Sequence, residues 1–264
     1  MQMGTRLQLS PLDTASPVLD EKAADVPGAD WRTLYRIAGI AAFAVVALIP
    51  IQAIVYILWP PPASVIDFFK TFQQNVVLGL LDLDLLLIVD QVLIVVVLLG
   101  LYISLRRVNP SLMLVGTAIG LLGAVLFIIS REATISMLWL SQQYAVAASD
   151  VERTTLLAAG QTLLTTYNGT AFSVGYFLSG LAMVVVSIVM LRGAVFSRVT
   201  GVAGVAAGLT GLVPASFGTL GFVLSFVSLL PLVVWLALIG LRFLQLASQL
   251  QFEDSPDPST VAKG

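Results

Sequence analysis

The feature that most constrains this chain is a succession of apolar runs, each about as long as a bilayer core is thick. A hydrocarbon core of about 30 Å is crossed by roughly 20 helical residues. Six stretches meet or approach that length: Ile37–Trp59, Leu85–Leu105, Ser111–Ile129, Phe172–Leu191, about Val199–Ala215, and Phe217–Phe243. The pattern predicts an all-α fold, a polytopic membrane bundle of six transmembrane helices. The fifth run is short and glycine-rich, and the link from Pro214 to Phe217 is tight, so five spans with the fifth half-inserted is the alternative. Pro50 and Pro231 fall inside the first and last runs, where a missing N–H is expected to kink a helix.

Composition removes most other classes. Of 264 residues, 58% are hydrophobic and 11% charged, with a mean hydropathy of +0.98. Soluble domains carry about a quarter charged residues. Thirteen Lys and Arg against 15 Asp and Glu leave no basic excess, so nucleic acid is not an expected partner. The chain has no His and no Cys. Imidazole metal sites, haem ligation, iron–sulfur clusters and thiol nucleophiles are therefore excluded. Serine catalysis lacks a base, and the paired-carboxylate arrangement of intramembrane proteolysis lacks a second helix. The expectation is a protein without cofactor or metal, and not an enzyme.

Residues 1–36 are polar and acidic, with Pro11, Pro17 and Pro27 and no apolar period; they read as a disordered leader. Residues 246–264 read as a disordered tail, leaving 37–245 as the membrane domain. Orientation follows the distribution of Lys and Arg at the helix ends. Ten cations lie in the leader, the two short turns and the C-terminal segment: Arg6, Lys22, Arg32, Arg36, Arg106, Arg107, Arg192, Arg198, Arg242 and Lys263. Three lie on the other side: Lys70, Arg131 and Arg153. Both termini are expected in the cytoplasm, with the long loops outside.

Those loops have helical patterning of their own. Ser64 stands three residues before Asp67, as in a capping box, and Val65, Phe68, Phe69 and Phe72 then recur on one face. This predicts an amphipathic helix lying at the membrane interface. Ser149 and Glu152 repeat the capping spacing, and Leu156, Gly160, Leu163 and Tyr167 continue a second face. The stretch 133–147, with Trp139 and Tyr144, suits an outer extension of the third span or an interfacial cap.

Few residues within the hydrocarbon can carry chemistry. Asp82, Asp84 and Asp90 sit in one run. Counted from Arg106, Asp90 lies about 22 Å from the inner boundary, some 8 Å inside the outer one of a ~30 Å core. An aspartate at mid-helix costs up to ~3 kcal/mol on insertion scales, so it is expected to face protein or water. One reading makes Asp90 a proton- or cation-handling carboxylate, or a substrate anchor reached from outside. The plainer reading, favoured because no second buried charge offers a relay, makes it a structural partner, with Arg131 at the same level. Asp82 and Asp84 read as caps and interface anchors, and the seven acids of the outer side as a solvated rim. Glycines 116, 120 and 123, and 201, 204, 208 and 211, stripe the third and fifth spans. Such stripes mark close helix contact and are candidate faces for a homo- or hetero-oligomer, or the lining of a path. Asn168-Gly169-Thr170 matches a glycosylation acceptor, but Asn-Gly beside a span reads better as a turn.

Four runs carry a resemblance: Tyr35 to Gly39, Leu81 to Asp90, Ser141 to Tyr144, and Tyr167 to Thr170. Together the chain resembles, over about 32–245, the bacterial membrane family called domain of unknown function 4386. The resemblance implies a six-helix bacterial inner-membrane protein and supplies no catalytic or binding residues. It marks the Asp82–Asp90 run and the outer Tyr-Asn-Gly element as family features. The candidate polar site is then Asp82, Asp84, Asp90, Arg131, Tyr144 and Asn168. Two roles are expected: small-solute or ion transport or sensing through an outward-facing cavity near Asp90, or a structural, partner-binding membrane subunit.

Overall fold

The computed structural model of the chain describes residues 31–81 and 84–253. The described residues are helical apart from short links: α1 Trp31–Leu58, α2 Val65–Gln74, α3 Val76–Leu81, α4 Asp84–Leu105, α5 Pro110–Val146, α6 Asp150–Asn168, α7 Thr170–Arg192, α8 Arg198–Thr210 and α9 Gly218–Glu253. Residues from Arg32 onward gather into one unit. Five helical segments are long and apolar enough to cross a membrane: α1, α4, α5, Asp150–Arg192 (α6 and α7 together) and α9. The expected fifth span, about Val199–Ala215, holds α8, which is too short to cross by itself. Its 13 residues reach about 20 Å in a core of about 30 Å. Three of those 13 positions, Gly201, Gly204 and Gly208, are glycines held tightly against α7, and little apolar surface remains to extend the helix.

Helix ends differ from the expected boundaries for local reasons. α1 begins at Trp31, so residues 31–36 are helix rather than leader, and Tyr35 stacks on Phe243 at 5.7 Å. α9 runs to Glu253, past the expected tail boundary at 246, because Phe243 and Ala247 continue its buried stripe. Residues 1–30 and 254–264 lie outside the described residues. α5 is one helix of 37 residues, so the stretch 133–147 is its extension. Asn109 caps it, accepting from Leu112 N–H at 3.0 Å, with Pro110 at the first turn.

The two ends of the bundle differ in chemistry. At the basic end Arg242 Nε donates to the Val195 carbonyl at 2.7 Å, and Phe196 meets Phe243 edge-on. At the other end α2, α6 and the extension of α5 form a cap with its own core of Phe68, Phe69, Phe72, Ala133, Met137, Leu164 and Tyr167. The apolar face of α2 is thus buried against protein rather than laid on the membrane interface, correcting the sequence reading. Ser64 and Ser149 cap α2 and α6 as expected, accepting from Asp67 N–H at 3.3 Å and Glu152 N–H at 3.2 Å.

The main core lies among α1, α4, α5, α7 and α9, and includes Ala42, Val97, Leu101, Met113, Val189, Leu236 and Phe243. The glycine stripes are used up inside the chain. A methyl group at Gly123 would stand 2.9 Å from Ser179 N, and one at Gly208 would stand 2.9 Å from Gly180 O. These are the α5–α7 and α7–α8 seams, so most of the striped glycines face helices of the same chain. Burial in α1 stops at Val45, before Pro50, and Ile51, Ile54 and Ile57 are exposed. In α9 the segment before Pro231 is likewise mostly exposed, with Leu220, Val223 and Leu230 facing outward.

Candidate functional site

Two aspartates on α4 meet opposite fates. Asp84 is the first residue of α4 and is buried with Arg131 of α5. Arg131 Nη1 approaches Asp84 Oδ1 at 3.3 Å, and Thr134 Oγ1 donates to Asp84 Oδ2 at 2.7 Å. The Tyr167 side chain adds a further hydrogen bond to the same carboxylate. Arg131 Nη2 donates to the Tyr167 carbonyl at 2.6 Å and Nε to Ser130 Oγ at 3.1 Å. The guanidinium lies 3.8 Å from the Tyr167 ring centre, with Phe172 and Phe127 at 5.0 and 5.7 Å. Every charge here has a partner, and the cation is enclosed by aromatic faces. The cluster ties α4, α5, α6 and the start of α7 together beneath the cap.

Arg131 therefore does not pair with Asp90, the partner the sequence suggested. Hairpin register explains why. From Leu105 back to Asp84 and from Pro110 on to Arg131 are both 21 residues, so antiparallel neighbours bring those two together. Asp90 lies six residues, about 9 Å, nearer the basic end.

Among the described residues, no counter-charge lines the cavity beside Asp90. Its Oδ1 is buried without a hydrogen-bond partner. The residue lines a cavity of about 250 Å³ enclosed by α1, α4, α5, α7, α8 and α9. Lining positions on α4 run from Leu87 to Leu101, about 21 Å along the axis. Most of the wall is aliphatic or aromatic, with Phe127, Tyr176 and Trp235; its polar groups are Gln52, Gln91, Ser179 and Ser228. Gln52 Nε2 is 3.4 Å from the Leu86 carbonyl, one turn from Asp90. Among the described residues Asp90 is the one charged residue in this lining. A mostly apolar concavity with a few polar groups is the usual form of a small-molecule site.

The remaining expected site residues are not gathered there. Asp82 lies outside the described residues. Tyr144 packs on Phe69 in the cap, with ring centres 5.3 Å apart. Asn168 is exposed at the end of α6, where Gly169 separates α6 from α7, the turn expected of Asn-Gly. Sequence reasoning missed Thr134 and Tyr167 as Asp84 partners and Gln52 and Ser228 as cavity polar groups. The register count above would have brought Thr134, one turn from Arg131 on α5, to Asp84, but not Tyr167 on α6. The cavity residues come from helices whose order around the bundle no local pattern states.

The class these elements define is the helical multi-pass membrane protein. Within it, the chain belongs to the family described as Domain of unknown function (DUF4386), which it matches over residues 33–245. Neither the curated proteins nor the solved structures contain a match to it.

Proposed function

We propose that this protein binds a small solute inside the membrane at Asp90, for transport or sensing, without bond chemistry. The observation that carries this reading is that Asp90, whose buried Oδ1 has no hydrogen-bond partner among the described residues, lines a cavity of about 250 Å³. Charged groups within a span are costly and ordinarily pair or face water, and here a carboxylate with one oxygen lacking a partner borders a space of ligand size. The alternative, a structural or partner-docking subunit, relied on free glycine faces, most of which the α5–α7 and α7–α8 seams cover.

The proposed setting is the inner membrane, with both termini cytoplasmic and the cap outside. The ten-to-three distribution of Lys and Arg supports that orientation. A sixth crossing is supported by Ser216, whose Oγ lies 3.0 Å from Ser173 Oγ near the capped end of α7. From Arg192 to Ser173, α7 rises about 28 Å. α8 and the non-helical link after it thus cover together what α8 cannot cover alone. Irregular backbone at membrane depth is tolerated where it is buried in protein. Access to the cavity is through the loosely packed halves of α1 after Pro50 and of α9 before Pro231, both of which adjoin lining residues.

The sequence has no Cys, so single cysteines report accessibility without background. Ser179→Cys and Ser228→Cys are expected to react in intact cells with a membrane-impermeant thiol reagent, as Gln142→Cys on the cap does, and Leu230→Cys is not. If the two cavity positions react from neither side while Gln142→Cys reacts, the proposed solute site is wrong.

A further inference from the structure

The lining of the cavity restricts what it can hold, and this inference rests on the solute-binding reading just given. We propose that the ligand is a monovalent organic cation with an apolar body, an ammonium carried on an aliphatic or aromatic frame, anchored by Asp90. Three observations converge on that class. The first is charge: among the described residues Asp90 is the single carboxylate in the wall, and no Lys or Arg lines it. Arg131, whose guanidinium is 5.7 Å from the centre of the Phe127 ring, is already neutralised by Asp84. A neutral solute leaves the carboxylate unmatched, and an anion meets repulsion with no compensating donor charge.

The second is coordination. A hard inorganic cation such as Ca²⁺ takes six to eight oxygen ligands in place of its water shell. Among the described residues no group of three or more His, Cys, Asp or Glu gathers in one place. The wall supplies one carboxylate with scattered amide and hydroxyl oxygens from Gln52, Ser179 and Ser228. An organic ammonium asks less of the site, because its charge is diffuse and its frame needs no oxygen ligands.

The third is the remainder of the wall. Phe127, Tyr176 and Trp235 present aromatic surface, and Ile94, Leu98, Met183 and Leu232 present aliphatic surface. Aromatic faces attract a cation within about 6 Å, and the aliphatic part receives the frame of the ligand. The extent of the lining along α4, from Leu87 to Leu101, is about 21 Å and favours an elongated ligand with its charge at the Asp90 end.

The test uses the full chain in nanodiscs and benzyltrimethylammonium, whose charge is fixed at every pH, beside neopentylbenzene, which has the same shape without the charge. Binding of the radiolabelled cation is read by scintillation proximity. The wild type is expected to bind it saturably, with competition by the unlabelled cation and none by the neutral isostere. Asp90→Asn is expected to weaken binding about tenfold or more, and Trp235→Leu about threefold. Asp90→Glu, which keeps the charge, is expected to retain most of it, which separates loss of the anchor from loss of the fold. Equal competition by neopentylbenzene, with Asp90→Asn unchanged, overturns the cation proposal and leaves a site for neutral solutes. Absence of saturable cation binding, with Ser228→Cys still labelled from solution, also overturns it and leaves the solute cavity standing. Failure of the cysteine labelling removes the cavity reading itself.

Discussion

Asp84 and Asp90 are the same residue type on one helix, α4, six residues apart, and the bundle treats them differently. Asp84 has Arg131, Thr134 and Tyr167 around it, and every element of that cluster is supplied by the helices that build the cap. Asp90 has a cavity and an oxygen without a partner. The difference teaches that a buried carboxylate is not in itself a functional signal. Function is suggested where the protein supplies space in place of a partner. It also explains how a chain with so few charges keeps a rigid frame around an open site: the first aspartate holds the helices whose walls enclose the second.

The sharpest way to break the comparison is to strand Asp84. Arg131→Met leaves a buried charge without its cation and is expected to lower stability by about 3–5 kcal/mol, read as a large fall in thermal midpoint in nanodiscs. Adding Asp84→Leu to Arg131→Met removes the stranded charge and is expected to recover much of that loss. If the double variant is as unstable as the single one, the cluster is held by something other than its ion pair. Next in size is the seam that shapes the cavity wall. A methyl at Gly175 would stand 2.8 Å from Phe127 N and 3.0 Å from Gly123 O, both backbone. Gly175→Ala is therefore expected to cost about 1–3 kcal/mol by forcing α5 and α7 apart. A neutral result by chemical or thermal unfolding would show that seam to be looser than described. Ser64→Ala removes the α2 cap and is expected to cost about 1 kcal/mol, seen as faster amide exchange in α2 with the main core unaffected. Asp90→Asn sits at the bottom of this order, with little or no loss of stability, since it gives up no hydrogen bond at Oδ1.

How much of this was legible in the sequence differs between the same two regions. The long spans and both serine caps could be read directly, because length, apolar content and the Ser-to-acid spacing are local properties. Five of the six spans came through, and the fifth run did not, since the glycines that pack α8 on α7 also shorten its apolar surface. The Asp84–Arg131 pair was encoded in the hairpin count but was obscured by matching Arg131 to the more conspicuous Asp90. The glycine stripes were correctly seen as close-contact positions, although their partners are helices of the same chain. The cavity was the least legible part. Gln52, Tyr176, Ser228 and Trp235 lie on three helices far apart in sequence, and only tertiary packing places them around Asp90. Asp90 itself stood out because a charge in an apolar run demands an explanation.

The most direct test of the central claim is a side-by-side thermal unfolding of Asp84→Asn and Asp90→Asn against the wild type in nanodiscs near neutral pH. The account predicts a fall of several degrees for Asp84→Asn, which leaves Arg131 without its counter-charge, and an unchanged or higher midpoint for Asp90→Asn. A fall for Asp90→Asn as large as that for Asp84→Asn would contradict it, and would make both aspartates parts of the frame.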